Sequence, residues 1–323
     1  MSFILRRCGL ALVTIVLVSI LCFLAFGVMK GDPASLMLGI EGSPEQLAAL
    51  REELGLNRSA PQRYFHWLLD FCRGNPGNSI RFQGQPVAAM IKERLPVSAA
   101  LALLSLGFVL LIAVPASLFS VRREGGPLDR AVNALTAFGV SIPGFFLGII
   151  FIWIFGISFR LFIPGVYVDY RESFSGFIAC LCFPALAIAI PNAAVLIKFL
   201  RSYLFREMGS AYVRSALGKG AGFLYALRRH ALPNALVPSL AVLALIIADV
   251  FSGSIIIEQV FTIPGIGRLF VAAIMSRDYP VIQSLALYIA CVVIAANALV
   301  DIAIQIIDPR IRLEKSSLRG DHG

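Results

Sequence analysis

An aspartate among aliphatic residues is the first position in this chain with chemistry to account for. Asp249 follows residues 236–248, a stretch with hardly a polar atom. An ionisable side chain at membrane depth is costly, and function is its default explanation. Two readings stand. The carboxylate faces a solute pathway, where it could meet a substrate amine or a metal-bound ligand, or it pairs with a polar group on a neighbouring helix. Asn192, beside Pro191 in another apolar run, is a second pathway candidate. Glu258, where an apolar run gives way to a Gly/Pro-containing loop over 258–280, reads from its position as an interfacial charge. None of these belongs to a catalytic set: there is no G-x-S-x-G and no H-E-x-x-H, and His66, His230 and His322 are scattered. Cys180 and Cys182 lack a nearby Cys or His to complete a zinc site, so they read as helix packing. An intramembrane enzyme therefore finds no support, and no bound metal is expected.

The elements that position these residues are membrane helices. The chain has 323 residues, 58% of them apolar and 15% charged, with a mean hydropathy of +0.83. That is too apolar for a soluble domain and fits an all-α polytopic membrane protein. Runs of about 20 apolar residues can cross the hydrocarbon as helices. Six occur, at 9–29, 95–121, 131–159, 174–197, 235–257 and 281–307. The first is longer than a secretory signal core and five spans follow it, so it reads as a retained span. Between the first two lies a polar segment with helical signatures. Ser43, Pro44 and Gln46 supply an N-cap, a first-turn proline and a capping-box partner, with Leu47, Leu50 and Leu54 on one face and Gly55 as the stop. After Pro61, residues Tyr64, Trp67, Leu68 and Phe71 line a second amphipathic piece. The division expected is thus 1–94 (first span and external helical insertion), 95–308 (five-helix core with a loop at 201–234) and 309–323 (tail).

The net charge of +9 is a topology signal before it is a nucleic-acid signal. With both ends inside, the inner segments hold 16 Lys and Arg against 4 in the two short outer loops. Pro115, Pro143, Pro184 and Pro191 lie within spans, where freed backbone groups are tolerated beside neighbouring helices or a water-filled path.

The loop on the inner side, AYVRSALGKGAGFLYALRRHALP over residues 211–233, mixes small residues with cations. Ser210 can cap a short helix, and a glycine-ended helix with alanine-sized side chains lets another surface approach its backbone. The alternative is a solvated basic loop near anionic headgroups. No G-x-x-x-x-G-K-[ST] occurs, so this chain does not cradle ATP phosphates in that way.

This loop resembles the EAA loop of ABC importer membrane subunits, with Arg214 in place of the glutamate and His230 in place of the isoleucine. The chain is similar to the permeases of dipeptide, oligopeptide and nickel importers at residues 54–80, 141–149, 258–283 and 297–312 as well. Two positions depart from the family wording. Ala211 stands where an acidic residue is usual, and Ala216-Leu217-Gly218-Lys219-Gly220 replaces Ala-Arg-Ala-Lys-Gly. The resemblance implies a type I importer fold, with Ala211, Arg214, Ser215, Ala216, Lys219 and Gly220 in a coupling helix seated in an ATPase. It implies as partners a second, homologous permease, two cytoplasmic ATPases that bind ATP and Mg, and an external solute-binding protein. It places the chain in the bacterial inner membrane with both termini cytoplasmic and no cofactor of its own. The implied cargo is a peptide, with nickel or a metal-chelate, opine-like solute as the alternative. Asn297 and Asp301 match the family's usual pair near the inner end of the last span, the resemblance places Glu258 near an external gate on the pathway, and Asp249 stands where the family usually has a small or aromatic residue.

Overall fold

The computed structural model describes residues 2–28, 43–53, 57–82 and 84–307. The features expected at Leu54 and Gly55 and in the 309–323 tail lie outside these residues. The described residues form helices α1 (Ser2–Val28), α2 (Pro44–Glu53), α3 (Ala60–Cys72), α4 (Val87–Arg122), α5 (Pro127–Ser141), α6 (Gly144–Ser158), α7 (Phe174–Met208), α8 (Ala211–Gly218), α9 (Phe223–Val260), α10 (Ile266–Ser276) and α11 (Tyr279–Ile307). Five of them (α1, α4, α7, α9 and α11) are long and apolar enough to cross a membrane. The third apolar run, 131–159, is not one helix. It breaks between α5 and α6 with a bend of 99°. Pro143 contributes: its ring disfavours the helical conformation at the preceding residue, and Ile142 is extended at φ −98°, ψ 122°. The proline that lies within the third expected span therefore splits it.

Other helices overrun their expected ends. α4 starts at Val87 and α7 runs on to Met208, stopping at Gly209. Hydropathy marks the lipid-facing length, whereas helix length is set by the next breaker.

The chain forms two compact units. The first comprises residues 1–98 and 264–294. Here the capping box is formed as expected, Ser43 N–H donating to Gln46 Oε1 (3.1 Å) and Gln46 N–H to Ser43 Oγ (3.2 Å). α3 lays its aromatic face on α1: Tyr64 OH and Ser19 Oγ share a hydrogen bond of 2.8 Å, and the rings of Tyr64 and Trp67 flank Phe23. The 258–280 segment, expected to be a loop, contains helix α10. Its Ile266, Leu269 and Ala273 are buried with Val87, Met90, Val281 and Leu285. Ile266 N–H, one of the orphan donors of that helix start, bonds Ser98 Oγ at 2.8 Å. Asp278 is fully buried and accepts hydrogen bonds from Ser79 Oγ and from the Ile80 and Arg81 amides (both 3.2 Å).

The second unit comprises residues 99–263 and 295–323, with α7 packed against α5, α6 and α9. Small residues make these crossings close, as membrane helices require in the absence of a hydrophobic drive between them. A Cβ on Gly139 would stand 2.9 Å from Ala194 Cβ, and one on Gly144 would stand 3.1 Å from the Ala187 carbonyl. One end of this unit is tied by an ion pair. Buried Asp129 receives Arg201 Nε at 2.8 Å and Nη2 at 2.9 Å, the Gly125 amide at 3.1 Å and the Ser120 hydroxyl.

Candidate functional site

Two places in the second unit draw the predicted residues together. The first is a cavity of 590 Å³ at the break between α5 and α6, floored by α7 and walled by α9. Its side chains are apolar, Phe145 among them, apart from Ser141, Asn192 and Asp249, and the backbone of the break adds polar groups. A broken helix leaves carbonyls and amides unpaired at both new ends, the construction that transporters use where a polar path crosses the bilayer.

Asn192 and Asp249, 57 residues apart, meet here. The Asn192 amide nitrogen donates to Asp249 Oδ2 at 3.1 Å and to the Ile188 carbonyl at 3.0 Å. Asn192 is buried and Asp249 is open to the cavity. Asp249 thus has a polar neighbour on another helix and also lines a cavity. Pro191 has no N–H to give the Ala187 carbonyl one turn back, and a Cβ on Gly144 at the α5–α6 break would stand 3.1 Å from that carbonyl.

Glu258 departs from its expectation. It does not open a loop at an interface. It lies in the last turn of α9, fully buried, and is absent from the cavity lining. The helix continues through it because no Gly or Pro interrupts residues 254–263. Asn297 and Asp301 are both half-buried on α11.

The second place is α8 with its flanks. Among its residues only Val213 is buried, packed with Leu200, Leu204, Ala226 and Leu227. Burying a valine side chain contributes roughly 1.5–3 kcal/mol. Ala211, Arg214 and Ser215 are exposed, as are Lys219 and Gly220 after the helix, while Ala216 is half-buried. The helix is shorter than the 211–220 expected: Lys219 caps it and Gly220 turns the chain at φ +91°, a conformation that suits glycine. Ser210 is the N-cap residue by position, but its hydroxyl bonds back to the Glu207 carbonyl (2.6 Å) instead of capping α8. At Gly218, Gly220 and Gly222 a Cβ would meet nothing within 4 Å, so the backbone there is open to an approaching surface.

Three polar residues not singled out in the sequence hold α8 in place. Tyr212 OH donates to Glu207 Oε2 at the end of α7 and accepts from Asn234 Nδ2 (2.8 Å) in α9. Asn234 also donates to the His230 carbonyl (3.0 Å). Partial burial, then acceptance by Glu207, raises the Tyr212 hydroxyl above its usual range and keeps it protonated. Arg201 and Asp129 were similarly silent. Both sit among loop cations, and an acidic residue next to a basic run was the available signal.

No metal-ligating cluster occurs among the described residues; what the geometry offers is a lined cavity and a presented helix. Residues 110–313 match the family of binding-protein-dependent transport system inner membrane components, and residues 1–102 match the N-terminal region of such membrane components. This chain belongs to that family. The permease has the type I ABC importer membrane fold, and it is similar end to end to curated proteins. It is 36% identical to a probable peptide ABC transporter permease, y4tP, of Sinorhizobium fredii, over 96% of this chain and 99% of that one. It is 32% identical to the oligopeptide transport system permease AppB of Bacillus subtilis, over 96% of this permease and 99% of that protein. A third relative is the dipeptide transport system permease DppB of Lactococcus lactis, also 32% identical, over 97% and 99% of the two chains.

Proposed function

We propose that this permease moves peptides across the bacterial inner membrane by alternating access, as one of two homologous subunits around a shared path. The observation that carries the peptide cargo is full-length similarity to permeases named for peptides, oligopeptides and dipeptides. These names turn the reading away from a nickel or metal-chelate solute. The cavity at the α5–α6 break is this subunit's part of the path, with Asn192 and Asp249 in its wall. α8 is the docking element for a cytoplasmic ATPase, which supplies ATP and Mg chemistry that this chain does not. Arg214, Ser215 and the open glycine backbone present themselves to that partner, and Val213 with the Glu207–Tyr212–Asn234 link carries its motion into α7 and α9. An external binding protein delivers the solute. Both termini lie in the cytoplasm, on the side of the Lys and Arg excess.

The test is reconstitution of the permease with its partner permease, ATPases and binding protein in proteoliposomes. ATP-dependent uptake of labelled di- to oligopeptides is expected. Uptake of nickel without peptide uptake would overturn the cargo, and uptake that ignores ATP would overturn the importer.

A further inference from the structure

The hydrogen bonds around Asn192 leave an uneven remainder. Both protons of its amide nitrogen are committed, one to Ile188 and one to Asp249 Oδ2. This fixes the orientation of the amide, because the flipped form would set its oxygen against a carbonyl and a carboxylate. Two acceptors are then left over among the described residues: Asn192 Oδ1 and Asp249 Oδ1. Asp249 forms no ion pair with a described Lys or Arg. Asp249 is exposed to the cavity, and both residues line the 590 Å³ space, whose other side chains are apolar apart from Ser141.

We propose that Asn192 and Asp249 form a recognition point for a primary ammonium group on the transported solute. An ammonium brings three donors and one positive charge. It can give one proton to Asp249 Oδ1, another to Asn192 Oδ1, and cancel the carboxylate's charge. A carboxylate or phosphate group would be repelled. Within the proposed peptide reading, on which this inference rests, the bearer is the free N-terminus or a lysine side chain. The permease then contributes its own selection in addition to that of any binding protein.

The test uses the assembled complex with native cysteines replaced and Gly253→Cys introduced. Gly253 lines the cavity, and a Cβ there meets nothing within 4 Å. Its modification is timed with a trimethylammonium thiosulfonate and with the matching sulfonate reagent. Relative to their rates with a small free thiol, the cationic reagent is expected to be favoured about tenfold, a preference lost in Asp249→Asn and kept in Asp249→Glu. Equal relative rates with Asp249 intact would overturn the inference without recourse to any variant, and so would a relative preference that survives Asp249→Asn. A dipeptide with a free N-terminus and no lysine should protect the thiol from modification, and an N-acetylated dipeptide lacking lysine should not. An N-acetylated peptide containing lysine assigns the side chain as a second source if it protects and the α-ammonium alone if it does not. Equal protection by all peptides, or by none, would overturn ammonium recognition. A cavity with the cationic preference in a complex that takes up no peptide would instead remove the peptide reading and leave the charge site standing.

Discussion

Tyr212 shows how much one hydroxyl can hold. It donates to Glu207 and accepts from Asn234, so a single oxygen ties α8 to the helices before and after it. Tyr212→Phe removes both bonds while the ring stays, at a cost of about 1–2 kcal/mol. Expected is ATP hydrolysis that persists while peptide uptake per ATP falls severalfold, measured in proteoliposomes. The pH dependence follows from the raised hydroxyl. A group protonated more tightly in the folded state stabilises fully below its ordinary value of 10.0. That stability is lost as pH rises through the folded value. The difference in thermal stability between the natural protein and Tyr212→Phe should therefore stay constant from about pH 6 to 9 and shrink only at higher pH. Gly144 gives a second residue-scale prediction. Its missing side chain lets the break approach the Ala187 carbonyl, where a Cβ would stand at 3.1 Å. Gly144→Val should lower the melting temperature of the purified permease by an amount corresponding to about 1–3 kcal/mol.

Among the elements, α5 and α7 depend on one ionic contact. The bidentate geometry of Arg201 on Asp129 is the strong form of such pairs, and the Ser120 hydroxyl and Gly125 amide satisfy the rest of the carboxylate. Asp129→Asn keeps the shape and leaves the guanidinium without its counter-charge. Breaking a buried pair from one side is expensive, and a loss of about 3 kcal/mol is expected, read from unfolding in detergent. Adding Arg201→Leu to this variant should recover part of that loss, because the stranded charge goes with it. The break between α5 and α6 was legible only as a proline within an apolar run. Pro184 and Pro191 are also within an apolar run, yet α7 passes through both. The difference lies at Ile142, which adopts an extended conformation with Gly144 following, whereas α7 is held on three sides by α5, α6 and α9.

For the whole molecule, orientation is the statement that needs its own experiment. In a background with native cysteines replaced, Glu172→Cys should react with a membrane-impermeant thiol reagent in intact cells. Arg214→Cys should react only after permeabilisation. Both positions are exposed. The reverse pattern would invert the proposed topology and put α8 out of reach of an ATPase.

Hydropathy and breakers act over a few residues, so the sequence by itself determined the all-helical membrane class, the positions of the apolar runs, the Ser43–Gln46 capping box and the loop that contains α8. Each of these depends on neighbours close in the chain. The tertiary structure decided which distant residues meet: Asn192 with Asp249, Asp129 with Arg201, and Tyr212 with Asn234. It also buried Glu258 and folded 266–276 into a helix within a presumed loop. Pairings of this kind follow from where helices cross. The crossings are set by small side chains such as Gly139 and Gly144, whose effect appears only when two surfaces are brought together.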